Sequence, residues 1–244
     1  IKNTPSYKTL TGSADEITDF FTKENGYNEF ILHYVELLKD YVYAFIIGNE
    51  LSNLTSIQDE NGNFPAVDNL VNLAQQVKEI VGDNVKVGYS AGYKEYHSNN
   101  YWYNLDKLWS SEYIDFVGIK AFFPLTNSLQ TEITKETIKQ GWINGEGYDY
   151  ITENGIQIPI EQKYAYKNIE YWWKNIHINP DGRQTDWVPE SKKIWFTEYG
   201  FRSIDCATNE PFKGIGESPK YSTGNSNFYA QKIKLKNVKR TIKT

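Results

Sequence analysis

Apolar residues recur along this chain with two periods. Between 14 and 23, Ile17, Phe20 and Phe21 stand at helical spacing behind Ser13-Ala14-Asp15-Glu16. That tetrad is a capping box, a serine and the glutamate three residues on, and it predicts a helix start. Residues 28–39 carry Phe30, Ile31, Tyr34, Val35, Leu37 and Leu38 as an amphipathic stripe. From 66 to 81, Val67, Leu70, Leu73, Val77 and Ile80 repeat every three or four positions, and Gly82-Asp83-Asn84 ends that helix. A short helix is expected over 104–113 and a longer one over 163–177, with Tyr166, Ile169, Trp173 and Ile176 on one face. Between the helices lie four short apolar runs, 42–49, 85–90, 114–121 and 193–198, each the length of a buried strand. Asn61-Gly62-Asn63 and Asn179-Pro180-Asp181-Gly182 mark turns. Residues 126–162 are polar and Gly-containing, too long for a routine connection, and predict an excursion over the strand ends. Past Gly200 the pattern is weak and polar.

Strands that alternate with helices argue for an α/β fold, a parallel sheet with helices outside it. A closed (β/α)₈ barrel needs eight strands. Four are recognisable, so either further strands hide in weak segments or the barrel is incomplete. The expected division is one domain over 1–210 and a polar, basic tail over 211–244.

The bulk numbers narrow the function classes. The chain has 244 residues, enough for one large domain with a full core. It is 39% hydrophobic and 23% charged, ordinary for a soluble globular protein. No apolar stretch approaches a membrane span, and no N-terminal segment has the order of a signal peptide. The chain begins at Ile1 and contains no Met, which leaves room for an upstream segment. A net charge of −5 argues against a nucleic-acid partner, and the basic stretch 232–243 lacks interleaved aromatics and reads as a solvated tail. One cysteine, Cys206, excludes an internal disulfide framework and a Cys-based zinc site. His33, on a helical face, and His177, at a helix end, have no second ligand at metal spacing, so no metal or other cofactor is expected. Aromatics reach 16%, with 19 Tyr and 7 Trp, which suits either bulky packing or a cleft whose rings stack on sugars.

The chemistry sits at two strand ends. Tyr43-Ala44-Phe45-Ile46-Ile47-Gly48-Asn49-Glu50 and Lys193-Ile194-Trp195-Phe196-Thr197-Glu198-Tyr199-Gly200 each run apolar into a carboxylate, and the two glutamates are 148 positions apart. Two carboxylates projecting from strand ends into one cleft are the minimal machinery for cleaving a glycosidic bond. An Asn-Glu closing one strand and a lone Glu closing a later one resemble the clan of retaining (β/α)₈ glycosidases, with the four strands fitting the fourth to seventh. Gly48-Asn49-Glu50-Leu51, Phe64-Pro65-Ala66-Val67, Ile114 through Ile119, Gly145-Glu146-Gly147-Tyr148-Asp149, Trp172-Trp173 and Trp187 through Glu198 narrow the match. Over roughly residues 28–210 they resemble the TIM-barrel-like domain of gene transfer agent and phage tail proteins.

That resemblance implies roles. Glu50 would be the general acid/base, with its pKa raised by burial and by the second carboxylate. Glu198 would be the nucleophile, and Asn49 would donate to the sugar 2-hydroxyl. Tyr89, His97, Phe122, Trp142, Trp195 and Tyr199 are substrate-binding candidates. For Trp142 and Trp195 plain packing is an equal reading, and His97, in a polar loop, also reads as solvated. Glu146 and Asp149, in the excursion, read as turn residues or as parts of a lid. The resemblance also leads one to expect an acid after the fifth strand, where Gly92 stands, and an Asp after the sixth, where Lys120 stands. Nothing before Tyr41 supplies strands one to three, and nothing after Gly200 supplies an eighth. The richness in Asn, Lys, Ile and Tyr, as from an AT-rich coding sequence, is compatible with gene decay. Two functions compete: retaining hydrolysis of a surface or cell-wall glycan, and a non-catalytic structural or glycan-binding part of a phage-tail-like particle. The second would make the chain particle-associated after cytoplasmic synthesis.

Overall fold

The computed structural model describes residues 13–127 and 133–226, so the basic stretch 232–243 and part of the excursion lie outside the described residues. The elements run α1 (Ala14–Thr22), α2 (Tyr27–Leu38), β1 (Ala44–Asn49), α3 (Ser52–Thr55), α4 (Pro65–Val81), β2 (Lys86–Ala91), α5 (Asp106–Ser110) and β3 (Phe116–Lys120). They continue with α6 (Lys135–Gly141), β4 (Tyr150–Glu153), β5 (Ile156–Pro159), α7 (Ile169–Lys174) and β6 (Lys193–Glu198). Four strands form one parallel sheet in the order β1-β2-β3-β6. The described residues fall into two compact units. The first runs to Ile119 and resumes over Asn175–Trp195; the second takes Lys120–Lys174 and the chain from Phe196 onward.

In the first unit the expected capping box forms. Ser13 N donates to Glu16 Oε2 at 3.0 Å and Glu16 N donates to Ser13 Oγ at 3.2 Å. Pro65 opens α4 at a position where its missing N–H costs nothing, and Gly82 closes it at φ +63°. Helices α1 and α2 pack on α4. The core joins Ile47, Val87, Val117 and Ile119 of the strands to Leu70, Leu73 and Val77 of α4, all 1% exposed or less. Each such side chain contributes about 1.5–3 kcal/mol by leaving water. Asp115 pins the start of the sheet: it accepts from Val87 N at 2.7 Å and pairs with Lys78 at 2.7 Å. The exposed edge expected of an incomplete barrel is present. β1 is an edge strand, with no partner on its outer side among the described residues, and Phe30, Tyr34 and Leu37 form an exposed apolar stripe along α2.

The second unit differs from expectation at one helix. Within the stretch expected as an excursion, Thr134 caps α6, and β4 and β5 form a hairpin across Asn154-Gly155, with φ +50° and +81°. Positive φ at both turn residues is the two-residue hairpin geometry, and it suits Asn-Gly for steric reasons. The helix expected over 163–177 shrinks to α7. Lys167 N bonds instead to Gly147 O at 2.8 Å, and its buried Nζ donates to Pro124 O at 2.8 Å. Asn168 Oδ1 then accepts from Tyr171 N and starts the helix late. Asp205 accepts from Ser222 Oγ at 2.6 Å, Thr223 N at 2.9 Å and Gly224 N at 3.2 Å, bonds that pull its carboxyl down to about 2.

Gly88 shows how tightly the sheet is filled. A Cβ there would lie 2.4 Å from the Phe116 ring, which stacks on Trp195 at 4.0 Å. Gly88→Ala is expected to cost about 1–3 kcal/mol by overpacking. Urea unfolding should show a lowered midpoint at unchanged slope.

Candidate functional site

The end of β1 is built to turn Glu50 out of the ladder. Residues 44–46 pair in register with 86–88, but Asn49 pairs with Ser90, so β1 carries one extra residue before its end. Such a bulge re-aims the residues that follow it. Glu50 then adopts φ +48°, a left-handed conformation uncommon outside glycine, and its N–H donates to Ser90 O at 2.9 Å. Asn49 and Glu50 are both exposed. The burial expected for Glu50 is therefore not what the fold provides.

The buried acid is a different one. Glu95, 9% exposed, accepts from Tyr89 Oη at 2.6 Å, from Gly92 N at 2.9 Å and from Thr55 Oγ1 at 3.3 Å. Burial pushes its carboxyl up, against those three bonds and with help from the negative charge of Glu50, from the ordinary 4.5 to about 7. The two carboxyls flank one glycine: a Cβ at Gly92 would lie 3.0 Å from Glu50 Oε1 and 3.7 Å from Glu95 Oε2. Gly92, where an acid was expected, instead clears the space into which Glu50 reaches, and the acid comes three residues later. Sequence reasoning missed Glu95 because only the folded loop, with Tyr96 N bonded back to Gly92 O, returns its side chain to the strand end. Its only trace in the sequence was an acid closely following the strand 85–90.

Tyr89, expected to line a cleft, is fully buried and does something else. Its hydroxyl accepts from Leu51 N at 2.7 Å while donating to Glu95. It joins the backbone just after Glu50 to the Glu95 carboxyl. Gly48 makes room for it, since a Cβ there would lie 2.9 Å from Tyr89 Cε2. His97 is not solvated: it is 2% exposed, bonded through Nδ1 to Ser98 Oγ at 2.9 Å and packed against Tyr96 and Tyr103. Trp195 stacks on Phe116 at 4.0 Å and on Tyr43 at 6.1 Å, beside residues where β3 and β1 begin. Packing, the equal reading for Trp195, accounts for that position. The first unit thus gathers Glu50, Tyr89 and Glu95, and leaves half-buried Trp195 in contact with buried Phe116 and exposed Tyr43.

In the second unit, Glu198 ends β6 with its side chain 51% exposed and Lys120 Nζ 3.4 Å from Oε1. The residue read in place of an expected Asp is thus a cation beside the candidate nucleophile. Lys120 Nζ also lies 5.9 Å from the Phe122 ring centroid, a cation–π contact. Trp142 stacks on Phe196 at 5.8 Å and meets Phe123 edge-on, half-buried. Tyr199 is 39% exposed. Glu146 and Asp149 brace the hairpin: Glu146 accepts from Thr152 N and Oγ1, and Asp149 accepts from Gly145 N.

Comparison with known proteins adds one finding. A model of the GTA TIM-barrel-like domain matches residues 25–243. No curated protein and no solved structure gave a significant match. Among the described residues no helix is long and apolar enough to cross a membrane.

The raised Glu95 carboxyl makes stability depend on pH. Between about 4.5 and about 7 the folded protein keeps a proton that the unfolded chain releases. The Glu95 contribution to stability is therefore greatest below that window and falls as pH rises through it, by on the order of 3 kcal/mol at most. Glu95→Gln removes the titration. Urea midpoints at pH 5 and pH 8 should fall with pH in the parent and change less in the variant.

Proposed function

The chain belongs to the GTA TIM-barrel-like domain family, and from that premise we propose that it is a glycoside-hydrolase-like domain acting by two glutamates, with retention, on a surface or cell-wall glycan. One observation carries the reading: β1 and β6 of a single parallel sheet each deliver a glutamate at the C-terminal end, the end where barrels of this class place their chemistry.

In this reading Glu50 protonates the leaving oxygen and then activates water, while Glu198 attacks the anomeric carbon and forms a covalent glycosyl ester. Water, deprotonated by Glu50, later cleaves the ester, and the sugar leaves with its configuration retained. Retention requires the two carboxyls about 5–5.5 Å apart around the bond. Asn49 offers its amide to the 2-hydroxyl, and Phe122, Trp142 and Tyr199 offer ring faces to the sugar. Glu95 adds a third carboxyl close to neutrality beside Glu50. A proton held there limits the negative charge next to Glu50.

A second reading is a non-catalytic structural or glycan-binding component of a phage-tail-like particle. Lys120 favours it, because an ammonium on the Glu198 carboxylate stabilises the resting anion and blunts its attack. Turnover of aryl glycosides separates the two. Hydrolysis should be lost in Glu198→Gln and reduced about 10²–10⁴-fold in Glu50→Gln. Equal rates in parent and Glu198→Gln would remove the catalytic role, and absence of turnover with co-purification of tail proteins would establish the second reading.

A further inference from the structure

The first unit holds a cleft of about 300 Å³ that the glutamate chemistry does not use. One wall is a hairpin-like loop over residues 177–185. It is closed by Gly182 N to Asn179 O at 2.9 Å and by Thr185 N to His177 O at 3.0 Å. Beneath it His177 is buried flat between Tyr103 at 4.3 Å and Trp187 at 5.6 Å, and its Nδ1 meets Asp106 Oδ2 at 2.8 Å. Thr185 Oγ1 donates to the same carboxylate oxygen, and Tyr103 N donates to Asn179 Oδ1 at 3.0 Å. The hairpin is therefore stapled to the start of α5, and the cleft beside it is a formed feature. The opposite wall is Phe64 and half-buried Trp102, whose rings meet at 67° and 6.2 Å.

Two properties of the lining select a ligand. First, its charges neutralise one another. Asp68 pairs with Lys107 at 2.7 Å and Asp181 with Arg183 at 2.5 Å, while Asp106 is buried, its Oδ2 hydrogen-bonded to His177 and Thr185. Asp186 adds a further negative charge at the rim, so an anion gains nothing here. Second, the groups that remain for a ligand are carboxamides and aromatic faces: Asn61 and Gln184 at the exposed rim, with Trp102 and Phe64 behind. At the floor Asn104, 3% exposed, donates Nδ2 to Thr55 O at 2.9 Å, while its buried Oδ1 has no hydrogen-bond partner among the described residues. A buried acceptor in a polar recess is commonly completed by a hydroxyl or a water.

We propose that this cleft is a binding site for one neutral sugar ring. Amides with both a donor and an acceptor match hydroxyls that are themselves both, and a tryptophan face covers the C–H face of the ring. The volume lies at the small end of ligand pockets, suited to a single ring and too small for a buried chain. Thr55 joins this floor to the other site, because its carbonyl accepts from Asn104 and its hydroxyl donates to Glu95. The site nonetheless requires no bond cleavage, so it stands independently of the hydrolytic reading.

The test is NMR titration of the indole N–H signals. The ligands are the methyl glycosides of glucose, galactose, mannose and N-acetylglucosamine, with glucuronate as the charged control. At least one neutral glycoside should give saturable shifts at Trp102, with glucuronate bound about tenfold more weakly. Trp102→Ala should abolish binding. The rim variant Asn61→Ala/Gln184→Ala, at exposed positions that leave folding intact, should weaken it about tenfold. No saturable shift with any neutral glycoside, glucuronate binding as tight as the neutral sugars, or undiminished binding in the rim variant would overturn the proposal. Binding that persists in Glu198→Gln while aryl glycoside turnover is absent from the parent protein would uphold this site and reject hydrolysis.

Discussion

The Tyr89 hydroxyl is the bond on which the first unit's site depends. It accepts from Leu51 N–H and donates to Glu95, so one oxygen joins the turn after β1 to the loop after β2. Together with Glu50 N–H on Ser90 O and Thr55 Oγ1 on Glu95, that tie holds the backbone after Glu50 against the Glu95 loop. The bond also carries an electrostatic consequence. It is one of three donors that make burial of Glu95 tolerable, and they are not enough to cancel desolvation, so the carboxyl stays near neutrality. Glycines at 48 and 92 are the steric counterpart. One admits the Tyr89 ring, and the other leaves the space over which Glu50 and Glu95 face each other.

The second unit solves a different problem. Its glutamate is half exposed and sits against an ammonium that also contacts the Phe122 ring. The arrangement sets a cation beside the carboxylate, which serves a nucleophile at rest or a fixed polar contact equally well. The hairpin of β4 and β5, the buried Lys167 and the Asp205 loop give this unit its own internal framework beyond the strand ends. Its most telling residue is Lys120, since replacing an expected acid with a cation reverses the local charge beside Glu198.

Periodicity made the frame of the fold legible. Strand β6 was readable over its whole length, β1 and β2 to within two residues at either end, and α1, α2 and α4 closely, because each combines an unbroken apolar period with a cap, a proline or a glycine at its boundary. The family was legible too, through motifs kept in order. Helix α7 was misjudged for a physical reason. Tyr166, Ile169, Trp173 and Ile176 fit a helical stripe, but Lys167 finds a carbonyl in its own unit, and residues 177–185 leave to build the hairpin that holds His177. Local spacing cannot register a competing bond to a residue 43 positions away.

The amino-acid order alone determined that strands alternate with helices, that two of those strands end on glutamates, and that neither a membrane helix nor a disulfide framework is expected. Folding decided which carboxyl is buried. Composition treats Glu50 and Glu95 alike, but a bulge turns one outward into water, and a loop turn folds the other beneath Tyr89. The pKa of an acid follows its surroundings, and those surroundings are assembled from residues distant along the chain: Thr55 lies 40 positions from the carboxyl to which it donates. Charge state at this site, and the recess that frames the sugar-sized cleft, are therefore properties of packing and of no segment read in isolation.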